Sequence, residues 1–156
     1  MHPSFSIFIE TLHDKYERLV SCPTCCDGQL PKKMPKNGVY LFSENGKPLY
    51  VGRSNRLRGR YTKHCGKSSP HNAAAFAFKL ARETTGKMTA SYVAGKDDRK
   101  TLMQDPAFKK AFEDAKARIR KMDYRFVEET DQVKQALLEI YCTVVLKTPY
   151  NDFDTH

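Results

Sequence analysis

Two short apolar runs, Val39 to Phe42 and Leu49 to Val51, stand either side of Asn45-Gly46. Asparagine and glycine tolerate the positive φ angles that tight hairpin turns require, so the pattern is a strong antiparallel-hairpin signal. A third run, Tyr124 to Glu128, reads as another strand. Elsewhere the apolar period becomes helical. Phe5, Phe8, Ile9, Leu12, Tyr16, Leu19 and Val20 form one stripe over residues 4–20. Arg56 to His64 reads as a short helix with Leu57 and Tyr61 facing the core. Ala73 to Arg82 is apolar nearly all round, which predicts a buried helix ending near Gly86. Asp105-Pro106 starts a helix with Phe108, Phe112, Ala115, Ile119 and Met122 on one face. Its other face, with Lys109, Lys110, Lys116, Arg118, Arg120 and Lys121, is a solvated one that could also bind anions. Val133, Ala136, Leu137, Ile140, Tyr141, Val144 and Val145 give a closing helix stopped by Pro149. The fold expected is α/β (α+β): a small three-stranded antiparallel sheet flanked by helices.

Residues 22–37 contain three prolines and Gly28 and read as a linker. The domain reading is therefore 1–35, an N-terminal helix with a Cys/Pro-rich linker, and 36–156, a domain with a helical insertion at about 66–122. Five cysteines without disulfide-scaffold density fit a reducing compartment. Cys22-Pro23-Thr24-Cys25 has the spacing of half a zinc site, with Cys26 and His13 nearby. No second C-x-x-C or H-x₃-H pair completes four ligands, so reduced thiols in a loop are the default. A zinc-stabilised interaction domain around Cys22 to Cys26 is a rival.

No stretch of 18 apolar residues is present, which argues against a membrane span. The start, Met1-His2-Pro3-Ser4, lacks the pattern of a secretory leader, so a cytoplasmic location is expected. The net charge is +9, and its placement matters. From Asn45 to Arg82 there are nine basic residues (Lys47, Arg53, Arg56, Arg58, Arg60, Lys63, Lys67, Lys79 and Arg82) and no acidic one. A polyanion is the simplest partner for such a field, and nucleic acid is the commonest.

Glu139 is anomalous. From Gln135 to Leu146 it is the only charged residue, on the flank of the apolar stripe beside Ala136 and Thr143. A buried carboxylate is costly unless it finds an arginine, a proton or a metal. A rim position reaching water is the bland alternative.

Gly38-Val39-Tyr40, Tyr50-Val51-Gly52, Arg53 and Arg60, with Glu139 and Asn151 far downstream, together resemble the signature of GIY-YIG nucleases. The resemblance spans 38–151: hairpin, arginine helix, third strand and glutamate helix follow in the family's order. It departs in the two predicted helices between His64 and Tyr124, where compact members have a shorter connection; that insertion is expected to affect substrate choice more than chemistry.

The resemblance implies a metal-dependent endonuclease hydrolysing phosphodiester bonds in DNA, double-stranded or branched, with one divalent ion (Mg²⁺ or Mn²⁺) per site. Tyr40 and Tyr50 match the two tripeptide tyrosines, one of which would help deprotonate the attacking water. Free tyrosine has a pKa near 10, so this needs about 4 kcal/mol of environmental help at pH 7. Arg53, Arg60 and a metal could supply it. Arg60 would hold the scissile phosphate and stabilise its extra charge. His64, four residues on and on the same face, would relay a proton or contact phosphate. Glu139 would be the sole metal-binding carboxylate. Asn151 would position Glu139 or a nearby backbone group. Arg53, Arg56, Arg58, Lys63 and Lys67 would contact nucleic acid. A homodimer or a separate targeting partner would supply specificity that the chain lacks. A module that binds nucleic acid on this fold without cutting it is the alternative.

Directly opposed hairpin residues share a face. With a two-residue Asn45-Gly46 loop, Tyr40 would oppose Val51 and Tyr50 would point to the other side. On this reading both tyrosines converge only if residues 44–46 form a three-residue loop with Gly46 left-handed in a bulge, and that loop is expected.

Overall fold

The computed structural model describes residues 1–87 and 98–153, and the chain divides into two compact units. One joins Met1–Arg58 to Met122–His156; the other is Gly59–Lys121. Among the described residues no helix is long and apolar enough to cross a membrane.

The first unit contains the sheet: β1 (Gly38–Glu44), β2 (Lys47–Ser54) and β3 (Asp123–Glu128), antiparallel in the order β2-β1-β3. Asn45 and Gly46 have φ of 52° and 76°, and Glu44 pairs directly with Lys47. The turn is thus two residues long, which corrects the expected three-residue loop. The tyrosines still converge, because the register slips inside the ladder. Ser43 pairs with Pro48 but Phe42 with Tyr50, leaving Leu49 as an extra residue in β2. Proline has no N–H to give a ladder, and a bulge is where a strand accommodates one. Tyr40 consequently opposes Gly52, and Tyr40, Phe42 and Tyr50 lie on one face.

That face is aromatic. The Tyr40, Phe42 and Tyr124 rings are buried, with Phe42 and Tyr124 centroids 5.0 Å apart. On the opposite face Val39, Leu41, Val51 and Val127 pack with Leu12 and Leu19 of α2 (Leu12–Ser21) and Leu138 and Cys142 of α7 (Gln132–Leu146). The single helix expected over 4–20 is broken at Glu10-Thr11 into α1 (Pro3–Ile9) and α2. Only α2 buries side chains, while Phe5 and Ile7 stay exposed. Periodicity marks a helical face, but tertiary packing decides how much of it is used.

The closing helix begins on an Asp131 cap, whose side chain accepts from the Lys134 N–H at 2.9 Å. Its buried residues are Gln135, Leu138 and Cys142, whereas Val133, Ile140, Val144 and Val145 of the predicted stripe are exposed. The helix is apolar on more than one side, so the pattern alone does not select the face. Gln135 helps fix it: its amide donates to the Asn55 Oδ1 at 3.1 Å and to the Glu129 carbonyl at 2.7 Å.

The start of the 22–37 segment runs along the outer edge of β3. Cys25 exchanges backbone hydrogen bonds with Tyr124 on the outer edge of β3, at 2.9 and 2.8 Å. The next outward carbonyls of β3 are also met, that of Phe126 by the Cys22 thiol at 3.6 Å and that of Glu128 by the Lys15 ammonium. At the other edge, Tyr150 N–H donates to the Leu49 carbonyl at 3.3 Å.

The second unit begins inside α3 (Leu57–Cys65) and adds α4 (Ala75–Thr85), a single turn α5 (Arg99–Leu102) that the sequence did not announce, and α6 (Pro106–Lys121). Gly86, at φ 74°, ends α4 as expected. Phe78 of α4 packs on Phe108 and Phe112 of α6, ring centroids 5.0 and 6.4 Å away. The guanidiniums of Arg82 and Arg99 lie 5.0 and 4.8 Å from the Phe78 centroid. Lys116, expected on the solvated face of α6, is buried instead. Its ammonium donates to the Lys67 and Ser69 carbonyls, both at 2.9 Å, and pairs with Glu113 at 3.1 Å. It ties down the loop after α3.

Candidate active site

Four consecutive residues of β2 each hold one element of the candidate site in the first unit. Tyr50 presents its half-buried ring on the aromatic face, 6.4 Å from the Tyr40 ring. Val51 is gripped from outside the sheet by Asn151. Gly52 lies under the Tyr40 ring. Arg53 reaches towards α7 and Glu139.

The Gly52 position explains its residue. A Cβ built there would stand 2.2 Å from the Tyr40 hydroxyl oxygen and 2.9 Å from a ring carbon, so the ring can cross β2 only over glycine. Gly38 answers a different constraint: a Cβ there would lie 2.0 Å from the Val127 carbonyl oxygen, so β1 and β3 meet only if residue 38 has no side chain. The two tripeptide glycines are thus set by close approaches, whereas Gly46 is set by its left-handed backbone.

Arg53 shares the face of Val51, towards α7, so its guanidinium points away from Tyr40 and Gly52 and meets the lone acid of that helix. The Arg53 Nε donates to the Glu139 Oε2 at 3.0 Å. Glu139 is only 20 % exposed, and burial raises its carboxyl above the usual carboxylate range against the opposing pull of Arg53. Of the three possibilities for this residue, an arginine is therefore the partner it has. Sequence reasoning had both residues but did not pair them.

Asn151 makes a complete amide clamp. Its Oδ1 accepts from Val51 N–H at 2.9 Å, its Nδ2 donates to the Val51 carbonyl at 2.7 Å, and the Thr148 hydroxyl donates to the same Oδ1 at 2.8 Å. Of the two positioning tasks expected for Asn151, the backbone one is present. Thr148 was missed, and no spacing rule would have found it.

Arg60 and His64 belong to the second unit. Arg60 Nη1 donates to the Ala73 carbonyl at 3.1 Å, which aims the guanidinium from one turn of α3. His64, one turn later, is fully buried with its ring edge-on to Phe76. Burial, with the Arg60 charge adding to it, lowers the His64 pKa to about 3, so its imidazole is neutral at physiological pH. Of the residues expected at nucleic acid, Lys63 and Lys67 are exposed. The Arg58 guanidinium donates to the Pro31 and Lys32 carbonyls, the latter at 3.4 Å. The Arg56 N–H donates to the Ser54 hydroxyl at 2.9 Å.

A sequence model of the GIY-YIG catalytic domain matches residues 36–151. No curated protein and no solved structure matches the chain.

Proposed function

The chain belongs to the GIY-YIG nuclease family, and on that premise we propose that it is a metal-dependent endonuclease hydrolysing phosphodiester bonds in DNA. The observation that carries this reading is the β2 segment Tyr50–Arg53, which carries the paired tyrosines on one face, the Arg53–Glu139 contact on the other and the Asn151 clamp at its edge.

Nucleases of this family generally use a divalent metal, and Glu139 suits one. Among the described residues no three His, Cys, Asp or Glu side chains gather as a ligand cluster. A single carboxylate is enough for a hard ion that takes most of its shell from water and phosphate oxygens. Bound by Glu139, Mg²⁺ or Mn²⁺ would stabilise the departing oxyanion. Arg53 opposes the upward push of burial on the Glu139 carboxyl and orients it.

The remaining steps fall to the chain's own groups. One of the Tyr40/Tyr50 pair accepts a hydrogen bond from the attacking water and helps to take its proton. Arg60, a permanently charged planar fork, binds the scissile phosphate and stabilises its added charge. His64 is neutral, which suits a hydrogen-bonding relay rather than a cationic phosphate contact. Asn151 acts through Val51, fixing the strand that carries Tyr50 and Arg53.

Purified protein is incubated with single-stranded, duplex and branched DNA, with Mg²⁺ or Mn²⁺ and with chelator, beside Glu139→Ala. Metal-dependent cleavage by the wild type, at least 100-fold faster than the variant (about 2.7 kcal/mol of barrier), is the expected result. Equal degradation by both proteins would overturn the assignment. Binding without cleavage would make the chain a non-catalytic module.

A further inference from the structure

The net charge of the molecule resides in one of its two units. Residues 59–121 contain fifteen lysines and arginines and six acids, a net +9; all the other residues together contain twelve of each. The unit holding Tyr40, Tyr50, Glu139 and Asn151 is therefore neutral overall. The net positive field that attracts a phosphate backbone is thus concentrated in the helical unit.

Within that unit α6 is the longest helix and the richest in cations. Lys109, Lys110, Arg118 and Lys121 are exposed on it. Its two acids are both engaged by lysines of the same helix, Asp114 by Lys110 at 2.8 Å and Glu113 by the buried Lys116 at 3.1 Å. The exposed side of the helix, about 180° wide from Lys109 through Lys110 and Lys121 to Arg118, thus carries more positive than negative charge. From Lys110 to Lys121 a helix rises about 16 Å, a distance over which each strand of a duplex presents roughly five phosphates.

We infer that α6 is a docking surface for the phosphate backbone of DNA, so that the unit 59–121, which also carries Arg60 and His64, grips substrate through residues that take no part in the cutting. The inference rests on the nuclease reading and adds where the substrate is held. It adds the exposed Lys109, Arg118 and Lys121 to the residues after β2 that were expected at nucleic acid.

The test measures duplex DNA binding by fluorescence anisotropy, using the full chain carrying Glu139→Ala so that cleavage cannot intervene. Salt is varied from about 0.05 to 0.3 M. Lys109→Ala/Arg118→Ala/Lys121→Ala, verified as folded by circular dichroism, should lower affinity roughly 100-fold at ~0.15 M salt. The slope of log K against log salt should become shallower by about 3. Lys109→Arg/Lys121→Arg should bind like the parent, guarding against a loss due to misfolding. Lys32→Ala/Lys33→Ala/Lys36→Ala, in the neutral unit, should weaken binding less than about threefold. In the cleaving protein the α6 variant should raise KM and leave the rate at saturating DNA unchanged. An α6 variant that binds like its parent, or a control that falls as far, overturns the inference while cleavage by the wild type still stands. A wild type that neither binds nor cuts DNA overturns both readings.

Discussion

Replacing Asn151 with alanine removes both partners of a buried backbone unit at once. Val51 is 0 % exposed, and its outward N–H and carbonyl are held by the Asn151 amide at 2.9 and 2.7 Å. An unsatisfied buried polar group costs about 1–3 kcal/mol, so two cost roughly 2–5 kcal/mol. For a chain of this size that lowers Tm by roughly 5–15 °C. Thermal and urea denaturation followed by circular dichroism would measure it. Asn151→Asp sharpens the test. The new carboxylate can accept from Val51 N–H, but it has no N–H for the Val51 carbonyl and sets an oxygen against it. It should be at least as destabilising at pH 7 as alanine and should recover as the acid is protonated. A residue ligating metal would show the opposite: aspartate would preserve stability and strengthen metal-dependent cleavage. That outcome, or an alanine variant within 0.5 kcal/mol of wild type, would refute the clamp.

Gly52→Ala should displace the Tyr40 ring, costing about 1–3 kcal/mol and more activity than stability; an unchanged Tm with wild-type cleavage would contradict the crossing described above. Gly38→Ala should be worse, because its clash is with the Val127 backbone rather than with a side chain. His64 gives a pH signature. Its folded pKa lies at about 3, below the 6.5 of the free group, so on acidification the unfolded chain takes up a proton that the folded one refuses. Stability is full above pH 6.5 and falls by about 1.4 kcal/mol per pH unit towards pH 3. His64→Gln should remove that slope in denaturation curves collected across pH, and an identical slope would refute the burial argument.

Features fixed by local chemistry were legible in the sequence. Asn45-Gly46 announced the turn, Gly86 the end of α4, and the apolar spacing of Phe108, Phe112 and Ile119 the buried face of α6. The tripeptides, Glu139 and Asn151 were legible as a set through their resemblance to the family. Distant pairing was not. The bulge at Leu49 depends on which residues of two strands meet, and Pro48, with no N–H, was its one local sign. The buried side of α7 turned on Gln135 finding Asn55 and Glu129, since several of its faces are apolar. Lys116 sits in a run of cations that looks solvated, and its partners lie 47 and 49 positions earlier in the chain. Arg53 and Glu139 are 86 positions apart, Val51 and Asn151 100.

The treatment of the sheet margins bears on how this protein can associate and how it can be shortened. Cys22, Cys25 and Lys15 occupy the outer carbonyls of β3, while Tyr150 and Asn151 occupy those of Leu49 and Val51 on β2. Among the described residues these contacts engage part of each margin, which disfavours oligomers built by sheet extension there. A truncation ending at Thr148 would strip one margin and leave Leu49 and Val51 as a sticky template. Loss of solubility in such a fragment would come from self-pairing through that strand, even with every core residue still in place.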